Sequence, residues 1–135
     1  MKRRTALASL CLIPITSGCV MNNREARLAR VAIGNFSSSA VSFEIQIFES
    51  ESTVYDESMR IEPNSDDAVT VPSFVIEEDL PSEPGAYRIE YGISGSSLEE
   101  FDFSNSIDTD CGQVHIDIRE ADRTEIFVSD SCDTI

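Results

Sequence analysis

The stretch Ala86-Tyr87-Arg88-Ile89-Glu90-Tyr91-Gly92-Ile93-Ser94 alternates without a break, with Tyr87, Ile89, Tyr91 and Ile93 set against Arg88, Glu90 and Gly92. A period of two sends successive side chains to opposite faces of an extended chain, so this is a strand with one face in a core and the other in solvent. Ser94, Gly95, Ser96 and Ser97 then supply a turn, and Leu98, Phe101 and Phe103 suggest the return strand of a hairpin.

The same period runs through most of the chain. Val31 and Ile33, then Val41, Phe43, Ile45 and Ile47, place apolar side chains on one face, with Ser42, Glu44 and Gln46 opposite. This predicts two strands joined by the Ser-rich loop 35–40. Residues 54–62 read as a third strand with Tyr55, Met59 and Ile61 inward, and Pro63 to Asp67 as a turn. Residues 68–76 are a further candidate, which Pro72 confines to an edge or breaks. The span 77–85, with Pro81 and Pro84, is the longest predicted loop.

In the last hairpin Val114, Ile116 and Ile118 face one way and His115, Asp117 and Arg119 the other, and the return strand 124–129 carries Ile126, Phe127 and Val128. Pairing Ile116 with Ile126 and Val114 with Val128 leaves Cys111 opposite Ser131, one residue short of Cys132. A β-bulge between Asp110 and Val114, or between Ser129 and Cys132, would reconcile the two registers. Seven or eight short strands, no convincing helix and about 105 residues from position 31 onward predict an all-β fold. The expected form is a single immunoglobulin-like antiparallel β-sandwich, with a small β-barrel as the competing architecture. The hallmark tryptophan is absent. The expected core comprises Phe43, Ile45, Ile47, Tyr87, Ile89, Tyr91, Val114, Ile116 and Val128.

The N-terminus reads as an address. Met1, Lys2, Arg3 and Arg4 precede an apolar run from Thr5 to Ile15, and Thr16, Ser17, Gly18 and Cys19 follow. A basic region, a short apolar region broken by Pro14 and small residues before a cysteine make an export signal rather than a membrane-spanning helix. Arg3 and Arg4 before Thr5, Ala6 and Leu7 resemble the twin-arginine motif, and 16–19 resembles a lipobox. Together they are similar to the signals of haloarchaeal exported lipoproteins. Two departures are Thr16, in place of the usual leucine, and the small Ala6, where a large apolar residue is expected. The resemblance implies removal of residues 1–18, Cys19 as a lipid-bearing N-terminus, and residence at the extracytoplasmic face of the membrane. It further implies a tether over 19–30 and a domain over 31–135. An ordinary secretory signal cut nearby, with Cys19 an incidental thiol, is the alternative.

On that reading Cys11 leaves with the signal and Cys19 carries lipid, so Cys111 and Cys132 remain as one pair. In an oxidising compartment a disulfide is their default state. The loop of 20 intervening residues would contribute about 3 kcal/mol in the chain-entropy account.

The mature chain would carry seven basic residues, all arginine, against 25 acidic ones, a net charge of −18. Beyond Arg30 the balance is four against 24, or −20. Such acidity repels itself at low ionic strength and is tolerated where molar salt shortens the Debye length to about 3 Å. Adaptation to high salt is therefore expected, and without a basic patch nucleic-acid binding is not. Arg24, Arg27 and Arg30 lie in the predicted tether, where they would either meet anionic headgroups or pair with the acidic domain.

Candidate chemistry is sparse. His115 is the chain's one histidine, on an outward strand position, and no GxSxG elbow occurs, so no hydrolytic triad is expected. A copper or zinc site would need a second imidazole. Asp66 and Asp67, with Asn64 and Ser65, and Asp108 and Asp110, around Thr109, are weak candidates for calcium, without EF-hand spacing. Asn35-Phe36-Ser37 matches an N-glycosylation sequon in a predicted surface loop. The expected function is a lipid-anchored, non-catalytic binding or structural module with an unidentified protein or glycan partner at the cell surface. The alternative is a calcium-binding or carbohydrate-active accessory protein or enzyme using loop carboxylates.

Overall fold

A computed structural model describes residues 24–64 and 71–133, and the readings at Arg3, Arg4, Cys19, Asp66 and Asp67 lie outside the described residues. Eight strands are formed: β1 Arg27–Asn35, β2 Val41–Glu49, β3 Ser52–Ile61, β4 Ser73–Ile76, β5 Tyr87–Ile93, β6 Glu99–Asp102, β7 Cys111–Ile118 and β8 Thr124–Ser129. They build two four-stranded sheets, ordered β4-β1-β7-β8 and β3-β2-β5-β6. The fold is an all-β sandwich, not a closed barrel. Its layers enclose the inward residues predicted by alternation, with Phe43, Ile45, Ile47, Ile89, Val114 and Ile116 fully buried and Tyr87 and Tyr91 nearly so. Val128 is only half-buried, because β8 is an edge strand with no neighbour on its far side.

The strand order departs from the expected topology in two ways. β1 and β2 lie in different sheets: residues 36–40 carry the chain from one sheet to the other, so the alternation common to both strands faces one core from opposite sides. β1 pairs with β7 in parallel, Val31 with Val114 and Ile33 with Ile116. A seven-stranded immunoglobulin domain groups its first, second, fifth and fourth strands. The two share the sandwich architecture but not the strand order.

The sandwich includes residues of the predicted tether. Ala26 bridges Gly85 and β1 starts at Arg27, because Leu28, fully buried, belongs to the core. The boundary at residue 31 is corrected accordingly. Arg24 donates to the Thr109 carbonyl at 3.0 Å, and the Arg30 Nε lies 3.8 Å from a Glu77 carboxylate oxygen. These two neck arginines contact the domain's own acceptors.

The β7–β8 ladder takes the register Val114–Val128 and Ile116–Ile126, and no bulge interrupts it. The extra residue is absorbed instead where β8 ends at Ser129 and the chain leaves the ladder before Cys132. The bulge lies on the other flank of β7, where Ala29 is skipped between the pairs Leu28–Gly112 and Arg30–Gln113. Cys111 and Cys132 are disulfide-bonded with Cα atoms 5.8 Å apart, tying the C-terminal segment to its own sheet.

A short 3₁₀ turn, Glu120–Asp122, joins β7 to β8. Ala121 and Asp122 both take the left-handed conformation, with φ of 61° and 58°. Side chains with a Cβ pay about 1–2 kcal/mol there, and two-residue turns of this hand favour Asn-Gly. The double change Ala121→Asn with Asp122→Gly is expected to stabilise the domain by about 1 kcal/mol, read as a higher urea midpoint at fixed salt. An unchanged or lower midpoint would show that the turn stores no strain.

Candidate binding face

The two sheets present different outer faces to solvent. On β3-β2-β5-β6 the outward positions include Glu44, Glu90, Glu100 and Asp102, and Glu90 and Glu100 stand directly opposite each other. Arg88 mediates between them, 2.7 Å from Glu90 and 3.0 Å from Glu100, while its guanidinium stacks over Phe48 at 4.3 Å. This is a solvated, acidic surface.

On β4-β1-β7-β8 the registers Ala32–Val75, Ala32–His115 and His115–Phe127 align one row across all four strands: Val75, Ala32, His115, Phe127. The next row runs Ser73, Gly34, Asp117, Glu125. Central β1 thus contributes small residues between taller neighbours on β4 and β7, and the result is a shallow groove of about 190 Å³ floored by Ala32 and Gly34. A Cβ at Gly34 would meet the Phe36 ring at 3.3 Å and Val71 at 3.5 Å, so these two side chains close one end of the groove over the glycine. Arg30 stands at the other end, its Nε buried without a hydrogen-bond partner. Among the described residues, three of the four large apolar side chains most exposed to solvent, Phe36, Val75 and Phe127, belong to this face.

Two carboxylates of this face share one arginine. Arg119 lies 3.0 Å from Asp117 and 3.3 Å from Glu125, and its guanidinium stacks on Phe36 at 4.5 Å. The adjoining Ser38 is held by Glu120 through its N–H at 2.9 Å and its hydroxyl at 3.2 Å. Strand directions place loops 36–40 and 119–123 at the end of the sandwich opposite the start of β1, so the Phe36 end of the groove points away from the start of β1.

The sites predicted from sequence are distributed elsewhere. Asn35 ends β1 fully buried, donating through Nδ2 to the carbonyls of Ser39, Ile61 and Glu62, and its Oδ1 accepts from the N–H and hydroxyl of Ser37. The sequon's polar groups are consumed inside the fold. The glycan acceptor reading is therefore corrected: Nδ2 has neither a free direction nor the room for a sugar. Asp108 and Asp110 are exposed in a loop whose backbone is engaged instead, the Asp110 carbonyl accepting from the Arg27 N–H at 2.7 Å. Among the described residues no group of three or more His, Cys, Asp or Glu side chains is placed to hold a metal ion. The His115 ring is exposed, flanked by Ala32 and Phe127, and its imidazole makes no hydrogen bond to any described residue.

Sequence reasoning missed the groove. Its signal was Ala32 and Gly34 at alternate positions of β1, which becomes meaningful only when β1 is known to lie between β4 and β7. No family model matches the chain, and no curated protein matches it in sequence.

Proposed function

We propose that this protein is a non-catalytic binding module, lipid-anchored through Cys19 at the extracytoplasmic face of the membrane and adapted to high salt, with the groove on β4-β1-β7-β8 as its docking surface. The observation that supports this most is the contrast between faces. In a domain of net charge −20 beyond Arg30, one outer face carries the exposed apolar side chains Phe36, Val75 and Phe127 around a groove floored by Ala32 and Gly34, and the other carries Glu44, Glu90, Glu100 and Asp102. A protein or glycan partner approaching the first face meets apolar area at little electrostatic cost. The chain enters the sandwich at the end rich in acidic loops, among them Glu77, Glu78, Asp79, Asp108 and Asp110, which anionic headgroups would repel. An anchor there would present the Phe36 end of the groove outward.

Two substitutions in the full chain test the parts separately. Cys19→Ser is expected to move the protein from the membrane to the soluble fraction, and retention in membranes would overturn the anchor. Ala32→Arg plants a long side chain on the groove floor and is expected to abolish co-purification of the partner from solubilised membranes, while Glu44→Arg on the opposite sheet preserves it. A partner retained by Ala32→Arg, or lost equally with Glu44→Arg, would overturn the groove.

A further inference from the structure

Each sheet has two edge strands, and three of the four are guarded against pairing. β4 is four residues long and follows Pro72, β6 reads Glu-Glu-Phe-Asp, and β3 carries adjacent Asp56 and Glu57 with a register shift against β2. Short length, charge, proline and irregular register all keep edges from templating another chain. β8, Thr-Glu-Ile-Phe-Val-Ser, is regular along its ladder and has Glu125 as its one charge. Its central outward residue, Phe127, is 49% exposed, the largest value among the big apolar side chains of the described residues.

The open side of β8 is ready for a strand. Arg119 donates its N–H to the Arg123 carbonyl, making 119–123 a hydrogen-bonded pair. Alternation along an antiparallel ladder then assigns Asp117–Glu125, His115–Phe127 and Gln113–Ser129 to the same class. Thr124, Ile126 and Val128 consequently direct their N–H and C=O groups at the open edge. The inward side chains of Ile126 and Val128 are half-buried for want of a cover beyond β8.

From these features we infer that β8 pairs antiparallel with β8 of a second copy of this chain, joining two four-stranded sheets into one of eight strands. A twofold axis that keeps both cores on one side of the joined sheet allows two short offsets. One sets Phe127 against Glu125 of the second copy. The other sets Phe127 against Phe127, Ile126 against Val128 and Glu125 against Ser129. The second pairs aromatic with aromatic and aliphatic with aliphatic and opposes no like charges, so it is preferred. Its hydrogen-bonded pairs fall on Ile126 and Val128, the residues whose backbone groups are free. The antiparallel direction also brings Arg123, at the start of β8, beside Asp130 and Asp133 at the end of the other β8, a segment fixed by the disulfide and by the bond from Thr109 Oγ1 to the Asp130 carbonyl at 3.0 Å. Asp122 stays at the turn's tip, outside the paired strands. Molar salt removes the long-range repulsion between two strongly acidic copies, whereas pairs in direct contact are screened less.

Cysteine scanning of the full chain in native membranes at molar salt reads the register. Phe127→Cys faces its own copy across the axis and is expected to run mostly as a reductant-sensitive covalent dimer after mild oxidation. Glu125→Cys faces Ser129 and is expected to remain largely monomeric. In detergent at molar salt the unsubstituted chain is expected to sediment as two copies and Phe127→Lys as one. A single-copy mass for the unsubstituted chain, or equal cross-linking at 125 and 127, would overturn the pairing. Neither outcome bears on Ala32→Arg, so the groove and the dimer fail independently.

Discussion

Asn35→Ala is expected to destabilise the domain by about 3–4 kcal/mol, a loss of roughly 15 °C in thermal midpoint for a domain of this size. The side chain fastens one sheet to the other at the end of the sandwich: β1, which it terminates, belongs to the first sheet, and the carbonyls of Ile61 and Glu62, which it holds at 3.2 and 3.0 Å, close β3 in the second. Truncation takes the amide donor from those two carbonyls, while that of Ser39 keeps the Ser37 hydroxyl at 2.9 Å, and it removes the acceptor that positions the Ser37 N–H at 2.9 Å. A buried group left unpaired costs about 1–3 kcal/mol, so two or three of them outweigh the methylene-scale loss of packing. Asn35→Asp tests the mechanism, because it keeps shape and acceptor but loses both donors and buries a charge facing carbonyls. It is expected to destabilise at least as much. Urea unfolding at fixed molar salt measures both variants. A loss below about 1 kcal/mol for Asn35→Ala would mean that water replaces the amide.

The same residue shows where the sequence stopped being informative. Asn-Phe-Ser between two apolar runs has the composition of a surface loop, and nothing local announces that its amide is directed inward, since the carbonyls it satisfies lie 26 and 27 positions away. Alternation, by contrast, is a local property. It identified the inward faces of β2, β5 and β7 residue by residue and found the register of β8 from apolar matching. Alternation is silent about which strand lies beside which. That silence is why the two strands joined by the Ser-rich loop could not be assigned to different sheets, and why the parallel β1–β7 pair was not foreseen. The groove is a further consequence, since Ala32 and Gly34 are unremarkable in β1 until Val75 and His115 stand on either side. The disulfide was legible because it rested on elimination among four cysteines, whereas the bulge predicted to accommodate it was not, because a strand that ends early accommodates an odd residue equally well.

Lowering salt from molar to tens of millimolar is expected to unfold the domain cooperatively, the largest effect anticipated for this protein. Opposed carboxylates are built into both sheets: Glu90 faces Glu100, and Asp117 faces Glu125. Each pair is bridged by one arginine, Arg88 or Arg119, and these bridges are partly exposed, so they contribute about 1 kcal/mol or less apiece. With 24 acids and four arginines beyond Arg30, most carboxylates have no cation to meet, and their repulsion grows as the Debye length lengthens from about 3 Å at 1 M to about 30 Å at 0.01 M. The tyrosines report the same field. Tyr55, Tyr87 and Tyr91 all hold their protons above the ordinary phenol range, first because burial disfavours the phenolate and then because nearby carboxylates do, Glu57 and Asp79 at Tyr55, Glu49, Glu83 and Glu25 at Tyr87, and Glu99 at Tyr91. Salt screens the carboxylate contribution and leaves that of burial, so in the folded range phenol titration is expected to shift down with added salt while remaining above the ordinary value. Arg88→Gln removes the bridge between Glu90 and Glu100 and is expected to raise the salt concentration at the unfolding midpoint, followed by far-ultraviolet circular dichroism. A midpoint unmoved by Arg88→Gln, or a domain that stays folded in dilute buffer, would place the stability in the apolar core alone and leave the acidic surface without a part in it.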